Sequence, residues 1–399
     1  MQFAPFSISR LPRINYGSGR IDEVPALAAA YGRTALLVTG KQSFCATPRW
    51  QSFTQSLESR GMCWLHFTVS GEPSPSLVDQ AVSRFRGEAV DVVIAIGGGS
   101  VLDAAKAIAG LLPHGNSVMD HLEGVGRNIP YRGPSVPFIA VPTTAGTGSE
   151  ATKNSVLSVQ GPDGFKKSFR DECLIPEFAV IDPDLLASCP RELVAADGMD
   201  AFTQLLESFV SLKANPFTDA LAWSGMAAVK EGFFAAWEGT EPAASHGRGA
   251  MAYAALLSGI TLAQVGLGSV HGLASPLGAC FPIPHGVVCG TLVSAATGIN
   301  IKAMQVREPD NPALAKYAQV GRLLTGRTEI DDTTARSSLT ALLAEWSERL
   351  QLPYLKGYGI TKADFPLIIA NSRGSSMQTN PIVLTDAEIN AILMQRLKE

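Results

Sequence analysis

Val90–Leu112 reads VDVVIAIGGGSVLDAAKAIAGLL. An apolar run with β-branched residues, a triple glycine and an alanine-rich amphipathic stretch follow one another without interruption. That order predicts a buried strand, a tight turn and a helix. Glycines at the turn let the backbone approach a bulky ligand closely. The first turn of a helix offers free N–H groups and the positive end of the dipole to a phosphate. Ser100 is placed to cap the helix, with Asp103 three residues on as the capping-box partner. Taken alone, the loop is equally well a tight capped turn, and it lacks the G-x-G-x-x-G dinucleotide fingerprint.

The same texture extends outward. Thr34–Thr39 (TALLVT), Cys63–Val69 (CWLHFTV) and Val136–Val141 (VPFIAV) are further short apolar runs, with helical patterns at Leu77–Phe85 and Val101–Leu112. Alternation of this kind predicts parallel strands covered on both faces. Pro137 suggests that the last of these runs lies early in its strand or at a sheet edge. After it comes Pro142–Glu150 (PTTAGTGSE), which crowds four hydroxyls and two glycines into one loop. Two ligand-friendly loops at strand C-termini favour a cofactor site over a plain surface loop.

Past Cys189 the chain becomes rich in alanine and leucine. Arg191–Leu212, Pro216–Trp237, Arg248–Val265, Pro312–Leu324 and Ser337–Leu350 read as helices, with Pro190 and Pro216 at helix starts. The expected organisation is α/β followed by all-α: a Rossmann-like dinucleotide-binding domain with a parallel sheet over residues 1–188, and a helical metal and substrate domain over 189–399. A cleft between them is the expected ligand site.

Composition narrows the function. The 399 residues are 46% hydrophobic and 17% charged, with a net charge of −4. No basic run is present, which argues against phosphate-backbone binding to nucleic acid. Cys45, Cys63, Cys173, Cys189, Cys280 and Cys289 form no C-x-x-C pair and read as scattered buried thiols of a reducing cytoplasm. Met1–Arg10 lacks the apolar core of a signal peptide, and no uninterrupted membrane span is expected.

Two of the six histidines, His271 and His285, lie in SVHGLASPLGACFPIPHGVVCG, each followed by a glycine that suggests a turn. A pair in so apolar a stretch suits a metal or an acid–base role as well as a structural one. In RELVAADGMDAFTQLLESFVS, Asp197, Asp200 and Gln204 share one helical stripe, and the i, i+4 spacing of Asp200 and Gln204 lets them converge on one ion. A solvated polar face is the alternative, although the neighbours are apolar.

Together, GGGS-x-x-D-x-x-K (Gly97–Lys106), PTTAGTGSE, IDPDLL (Ile181–Leu186), GMDAFTQLLESFVS (Gly198–Ser211), VHGLASPLG (Val270–Gly278), PHG (Pro284–Gly286) and Asn380-Pro381 resemble the iron-containing (group III) alcohol dehydrogenases over nearly the whole chain. The resemblance implies the dehydroquinate synthase-like fold and an NAD(P)-linked exchange of hydride with a small alcohol or aldehyde. It implies that Gly98, Gly99 and Ser100 hold the pyrophosphate. Asp103, Thr143, Thr144 and Thr147 then line the cofactor cleft, and Lys166 meets the ribose, with Lys167 beside it as the alternative register. Asp200, His271 and His285 match three of the usual four metal ligands and would be the catalytic centre. Two positions depart from the pattern: Gln204 stands where a second ligand is a histidine, and Ser275 replaces a histidine near the substrate. Amide oxygen is a poorer ligand than imidazole, so a weakly held ion is expected, zinc at least as readily as iron. The competing readings are a dehydroquinate synthase-like lyase or cyclase, for which basic residues around Asp200 and His271 are few, and a degenerate nucleotide-binding protein.

Two further expectations concern cofactor and assembly. After the first strand, Gly40 and Lys41 stand where an acidic residue would repel a 2′-phosphate, so NADPH is expected over NADH. The apolar, strand-like segment FAPFSISRLPRINYGSGR (Phe3–Arg20) suggests pairing across a two-fold axis, as in relatives, and at least a dimer.

Overall fold

The computed structural model describes residues 4–161 and 164–397. Phe3, the first residue of the segment expected to pair between subunits, lies outside them.

The strands are β1 (Arg13–Tyr16), β2 (Thr34–Gly40), β3 (Cys63–Val69), β4 (Val92–Gly97), β5 (Phe138–Pro142), β6 (Asn154–Val159), β7 (Phe165–Arg170) and β8 (Phe178–Ile181). The helices of this half are α1 (Val24–Ala29), α2 (Pro48–Ser59), α3 (Pro75–Phe85) and α4 (Gly99–Leu111). Six strands form one parallel sheet in the order β1-β8-β5-β4-β2-β3, and β6 and β7 form an antiparallel hairpin. β4 is buried along its whole length because helices cover both faces. Leu36, Val38, Val93 and Ala95 pack with α3 and α4, while Ala35, Leu37, Val92 and Ile94 point to the opposite layer with α1 and α2. The alternation follows from the two-residue period of a strand.

Chain order creates a switch point in the sheet. From β2 the chain moves outward to β3, then returns to the other side of β2 to lay down β4. The connections on either side of β2 and β4 therefore diverge, leaving a crevice at their C-terminal ends, where open parallel sheets bind ligands. Gly40 ends β2 and Gly97 ends β4 at that point. β5 is central, between β4 and β8, so Pro137 marks the strand's start and not an edge. Ser100 does not cap α4. The N-cap is Gly98, with no side-chain bond, and Ser100 lies inside the first turn. Asp103 instead accepts from Ser149 Oγ and from the backbone N–H of Val156 (3.0 Å), fastening α4 to the hairpin.

The rest of the chain is helical: α5 (Arg191–Val210), α6 (Pro216–Glu238), α7 (Ala243–Val265), α8 (Ser269–Cys280), α9 (His285–Arg307), α10 (Ala313–Thr325), α11 (Asp332–Arg349), α12 (Phe365–Asn371) and α13 (Asp386–Gln395). The five helices expected from sequence are present. The hairpin, α8, α9, α12 and α13 were not expected, and α7 begins five residues before Arg248. By length and composition α9 could cross a membrane, but 78% of its apolar window is buried within the protein.

One core runs through both halves: Ala179, Ile181 and Leu186 pack in the same cluster as Phe202, Phe233 and Leu277. The seam is closest at Gly148, which takes a left-handed conformation (φ +61°) against Gly259 of α7. A Cβ on Gly259 would stand 2.1 Å from the Gly148 carbonyl oxygen. Gly259→Ala should therefore push the cofactor loop off α7 and cost about 1–3 kcal/mol, as overpacked sites do. Denaturant unfolding measures this, and a midpoint equal to wild type would contradict the close approach.

Candidate metal and cofactor site

The crevice end is assembled by packing of the two loops. The N–H of Thr143 donates to the Gly97 carbonyl at 3.0 Å, joining the loop after β5 to the turn after β4. A Cβ on Gly99 would meet Thr147 at 2.6 Å, so this turn needs glycine for the loops to approach. Gly98, Gly99, Ser100, Thr144 and Thr147 stay partly accessible beside the first turn of α4, whereas Thr143 is buried. Lys41 is exposed just beyond Gly40. Beneath the loops Lys106, completely buried, donates to the Ser149 carbonyl (2.8 Å), Thr152 Oγ1 (3.1 Å) and the Asn154 carbonyl (2.6 Å). Burial pushes its ammonium down to about 8. Lys106 stood in the quoted motif, but its role in pinning the second loop was not foreseen.

The helical end is built around α5. Asp200 is 1% exposed and Gln204 3%, which excludes a solvated polar face. His271 and His285 do not sit in turns: His271 is in the first turn of α8, and His285 is the first residue of α9. α9 lies tight against α5 because a Cβ on Gly286 would meet the Ala196 carbonyl at 2.5 Å and one on Gly290 would meet Met199 at 2.8 Å. This approach brings the first turn of α9 beside Asp200. The His271 Nε2 to Asp200 Oδ1 distance is 3.1 Å, and that from His285 Nε2 is 3.6 Å.

A second carboxylate holds His271 from behind. Glu207 Oε2 lies 2.7 Å from His271 Nδ1 and Asp200 Oδ1 3.1 Å from its Nε2. Burial opposes a charge on the ring, but Cys289 and the hydrogen bonds to Asp200 and Glu207 raise its pKa well above the usual imidazole range, so without a cation both ring nitrogens carry protons. Glu207 also accepts from the backbone N–H groups of Gly268 (2.9 Å) and Val270 (2.7 Å), capping α8 from another helix. Asn380 Oδ1 takes the N–H of Ser269 at 3.0 Å. Glu207 was missed in the sequence, yet it lies on the Asp200 stripe at i+7.

Cys289 was missed as well. It is the one buried cysteine; Cys63 and Cys173 are exposed and the other three are intermediate, so the expectation of buried thiols holds for one residue only. Its Sγ lies 3.6 Å from His271 Nε2 and 3.8 Å from His285 Nε2. The signal was its position, one helical turn after His285. Asp200, His271, His285 and Cys289 place one ligand atom each within 4.8 Å of one another. The amide of Gln204 meets Ser258 Oγ at 2.7 Å.

The electrostatics favour a cation at the centre. Burial alone would raise the Asp200 carboxyl, but His285 and the hydrogen bond from His271 hold it well below the usual range. Burial pushes His285 down to about 4, leaving a neutral imidazole able to ligate, and pushes the Cys289 thiol up to about 12. Asp200 Oδ2 is buried without a hydrogen-bond partner among the described residues. An ionised carboxylate with a free oxygen, beside one neutral imidazole and a second whose Nε2 proton a cation can displace, fits a divalent ion.

Between the two ends, Lys166 of β7 donates to Glu72 Oε1 at 2.6 Å, while Lys167 is exposed, so Lys166 is the inward-facing lysine. Ser275 Oγ donates to the Lys166 carbonyl at 3.4 Å. On α5, one turn before Asp200, Asp197 lines a cavity of about 280 Å³ between the two halves, together with Ala145, Leu186 and Met251. Burial first and the charge of Asp200 second push the Asp197 carboxyl up to about 7.

A nucleotide-type crevice on a parallel sheet, facing a carboxylate–imidazole cluster on helices, defines a metal-dependent nicotinamide oxidoreductase. Residues 12–183 match the family described as iron-containing alcohol dehydrogenase, and residues 194–397 match its C-terminal domain. The chain belongs to the iron-containing alcohol dehydrogenase family. It is 30% identical over 358 residues to an NADPH-dependent butanol dehydrogenase of Clostridium saccharobutylicum, covering 89% of this chain and 87% of the relative. It is 29% identical over 388 residues to an NAD-dependent methanol dehydrogenase of Bacillus methanolicus, covering 96% of this chain and 97% of the relative. The crystal structure of a 1,3-propanediol oxidoreductase superposes with a TM-score of 0.87 at 28% identity, over 98% of this chain and 100% of that one.

Glu207→Gln keeps the shape of the side chain but removes the charge that orients His271. Loss of such an outer partner typically weakens metal binding by about 10–100-fold. Competition with a chromophoric chelator should show that loss, with the fold intact by circular dichroism. Unchanged affinity would mean that Glu207 serves only as the cap of α8.

Proposed function

We propose that this enzyme reduces a small aldehyde, or oxidises the matching alcohol, with NADPH as its preferred cofactor. Residues 1–188 act as the cofactor domain and 189–399 as the metal and substrate domain. The observation that carries the reading is the convergence of Asp200, His271 and His285 on one point, with Asp200 Oδ2 left without a partner among the described residues. These three residues are the ligand set and the catalytic centre, with Gln204 close by on the same helix. A divalent ion held there supplies Lewis-acid polarisation of the substrate C–O bond, and the nicotinamide supplies or takes the hydride.

The chain's own residues bind and orient. Gly98, Gly99 and Ser100 offer backbone N–H groups to the pyrophosphate at the start of α4. Thr144 and Thr147 line the accessible side of the crevice, and Thr143 and Asp103 support it from beneath. Lys166, held by Glu72, faces the cleft where the ribose would lie. Gly40 removes the carboxylate that would repel a 2′-phosphate, and exposed Lys41 offers it a positive charge. A cyclase-type substrate phosphate lacks a comparable partner, because Lys166 is already paired with Glu72.

Steady-state reduction of a panel of short aldehydes tests this. NADPH should give the higher kcat/KM, and His285→Ala should lower it by about a thousandfold or more, the worth of several kcal/mol of electrostatic activation. Full activity of His285→Ala after exhaustive chelation would remove the metal from the reaction. A higher kcat/KM with NADH would overturn the cofactor preference alone.

The proposed setting is cytoplasmic, and the proposed assembly is at least a dimer. β1 is the sheet's edge, and its Ile14 and Tyr16 are each 40% exposed. An unpaired edge with apolar side chains suits pairing with a second copy. Light scattering at micromolar concentration should give twice the chain mass or more; a monomer mass refutes it.

A further inference from the structure

Building on the metal reading above, we infer that Cys289 is itself a ligand of the ion, supplying as thiolate the donor that Gln204 does not present, and that it biases the site towards zinc. Four of the six separations among the donors are known: 3.1 and 3.6 Å from the imidazoles to Asp200, and 3.6 and 3.8 Å from the imidazoles to the sulfur. Bonds of about 2.0–2.3 Å to a tetrahedral ion give edges of roughly 3.3–3.8 Å. The cluster already has nearly that shape.

A buried cysteine more often serves as a small apolar filler. Two features set this one apart. Its sulfur faces the same two imidazole nitrogens that face Asp200, and it is reached from the same helix turn that presents His285. Gln204, by contrast, has its amide tied to Ser258 of α7, away from that set.

Asp200 carboxylate and Cys289 thiolate would be the two negative donors in contact with the ion, with the Glu207 carboxylate one step further out behind His271. On binding, the sulfur–hydrogen bond breaks, a metal–sulfur bond forms and one proton leaves to solvent; no electron is transferred. Thiolate donors favour zinc, and iron(II) loses the advantage it would have with harder ligands.

Cobalt(II) reports the ligand directly. Titrated anaerobically into chelator-stripped protein, it should bind once per chain and produce the near-ultraviolet charge-transfer band of a thiolate–cobalt bond. Cys289→Ser should lose the band and bind cobalt at least about tenfold more weakly. Cys173→Ser, on an exposed residue, should keep the band. Stoichiometric binding without the band, or a band that survives in Cys289→Ser, overturns the inference and leaves the three-ligand metal reading standing. No binding of cobalt or zinc by the wild-type protein overturns both. If Cys289→Ser does not fold, the wild-type spectrum and the exposed-cysteine control decide the question.

Discussion

Two carboxylates and an imidazole stand in line inside an apolar helical bundle, Glu207 to His271 to Asp200. Much of the helical half is arranged around that chain of contacts. Buried carboxylates are costly unless each oxygen finds a donor or a cation. Glu207 meets the requirement through two backbone N–H groups at the start of α8 and through His271. Asp200 does so only in part, since Oδ2 has no partner among the described residues. The incompleteness is local and directional, which distinguishes a binding site from a poorly packed core. The same contacts that satisfy Glu207 fix the start of α8, so the placement of His271 and the packing of that helix depend on one side chain.

The cofactor half solves a different problem. Its site is made of backbone and hydroxyls, and these need to be positioned without filling the space a nucleotide would take. Glycine at positions 98 and 99 permits close packing of the two loops, and Lys106 anchors the second loop from below, within bonding distance of two carbonyls and two hydroxyls. Gly148 and Gly259 then bring that loop against α7. The two ends of the site thus share one rigid support, as a transfer between cofactor and substrate demands.

Several parts were legible in the sequence because they depend on local pattern. The buried run of β4, the turn after it, the strand–helix alternation and the long helices after Cys189 follow from periodicity and glycine placement. Asp200, His271 and His285 stood out because polar residues in apolar stretches need a reason. Other parts were misread for equally physical reasons. The H-G dipeptides looked like turns, but Gly286 and Gly290 serve the contact between α9 and α5, and a glycine used for packing cannot be told from one used for bending by spacing alone. Ser100 matched the capping pattern, yet Gly98 begins the helix and Asp103 bonds to a hairpin more than fifty positions away in sequence, counted from Val156.

By itself the sequence determined the strand–helix alternation of the first half, five of the later helices, the family and three residues of the carboxylate–imidazole cluster, because each rests on composition, motif and short spacing. Only the tertiary structure decided that Cys289 joins them, that Glu207 holds His271, and that Gln204 is tied to Ser258. Those relations bring together α5, α7, α8 and α9, and which side chain meets which across such distances is set by how closely the helices pack.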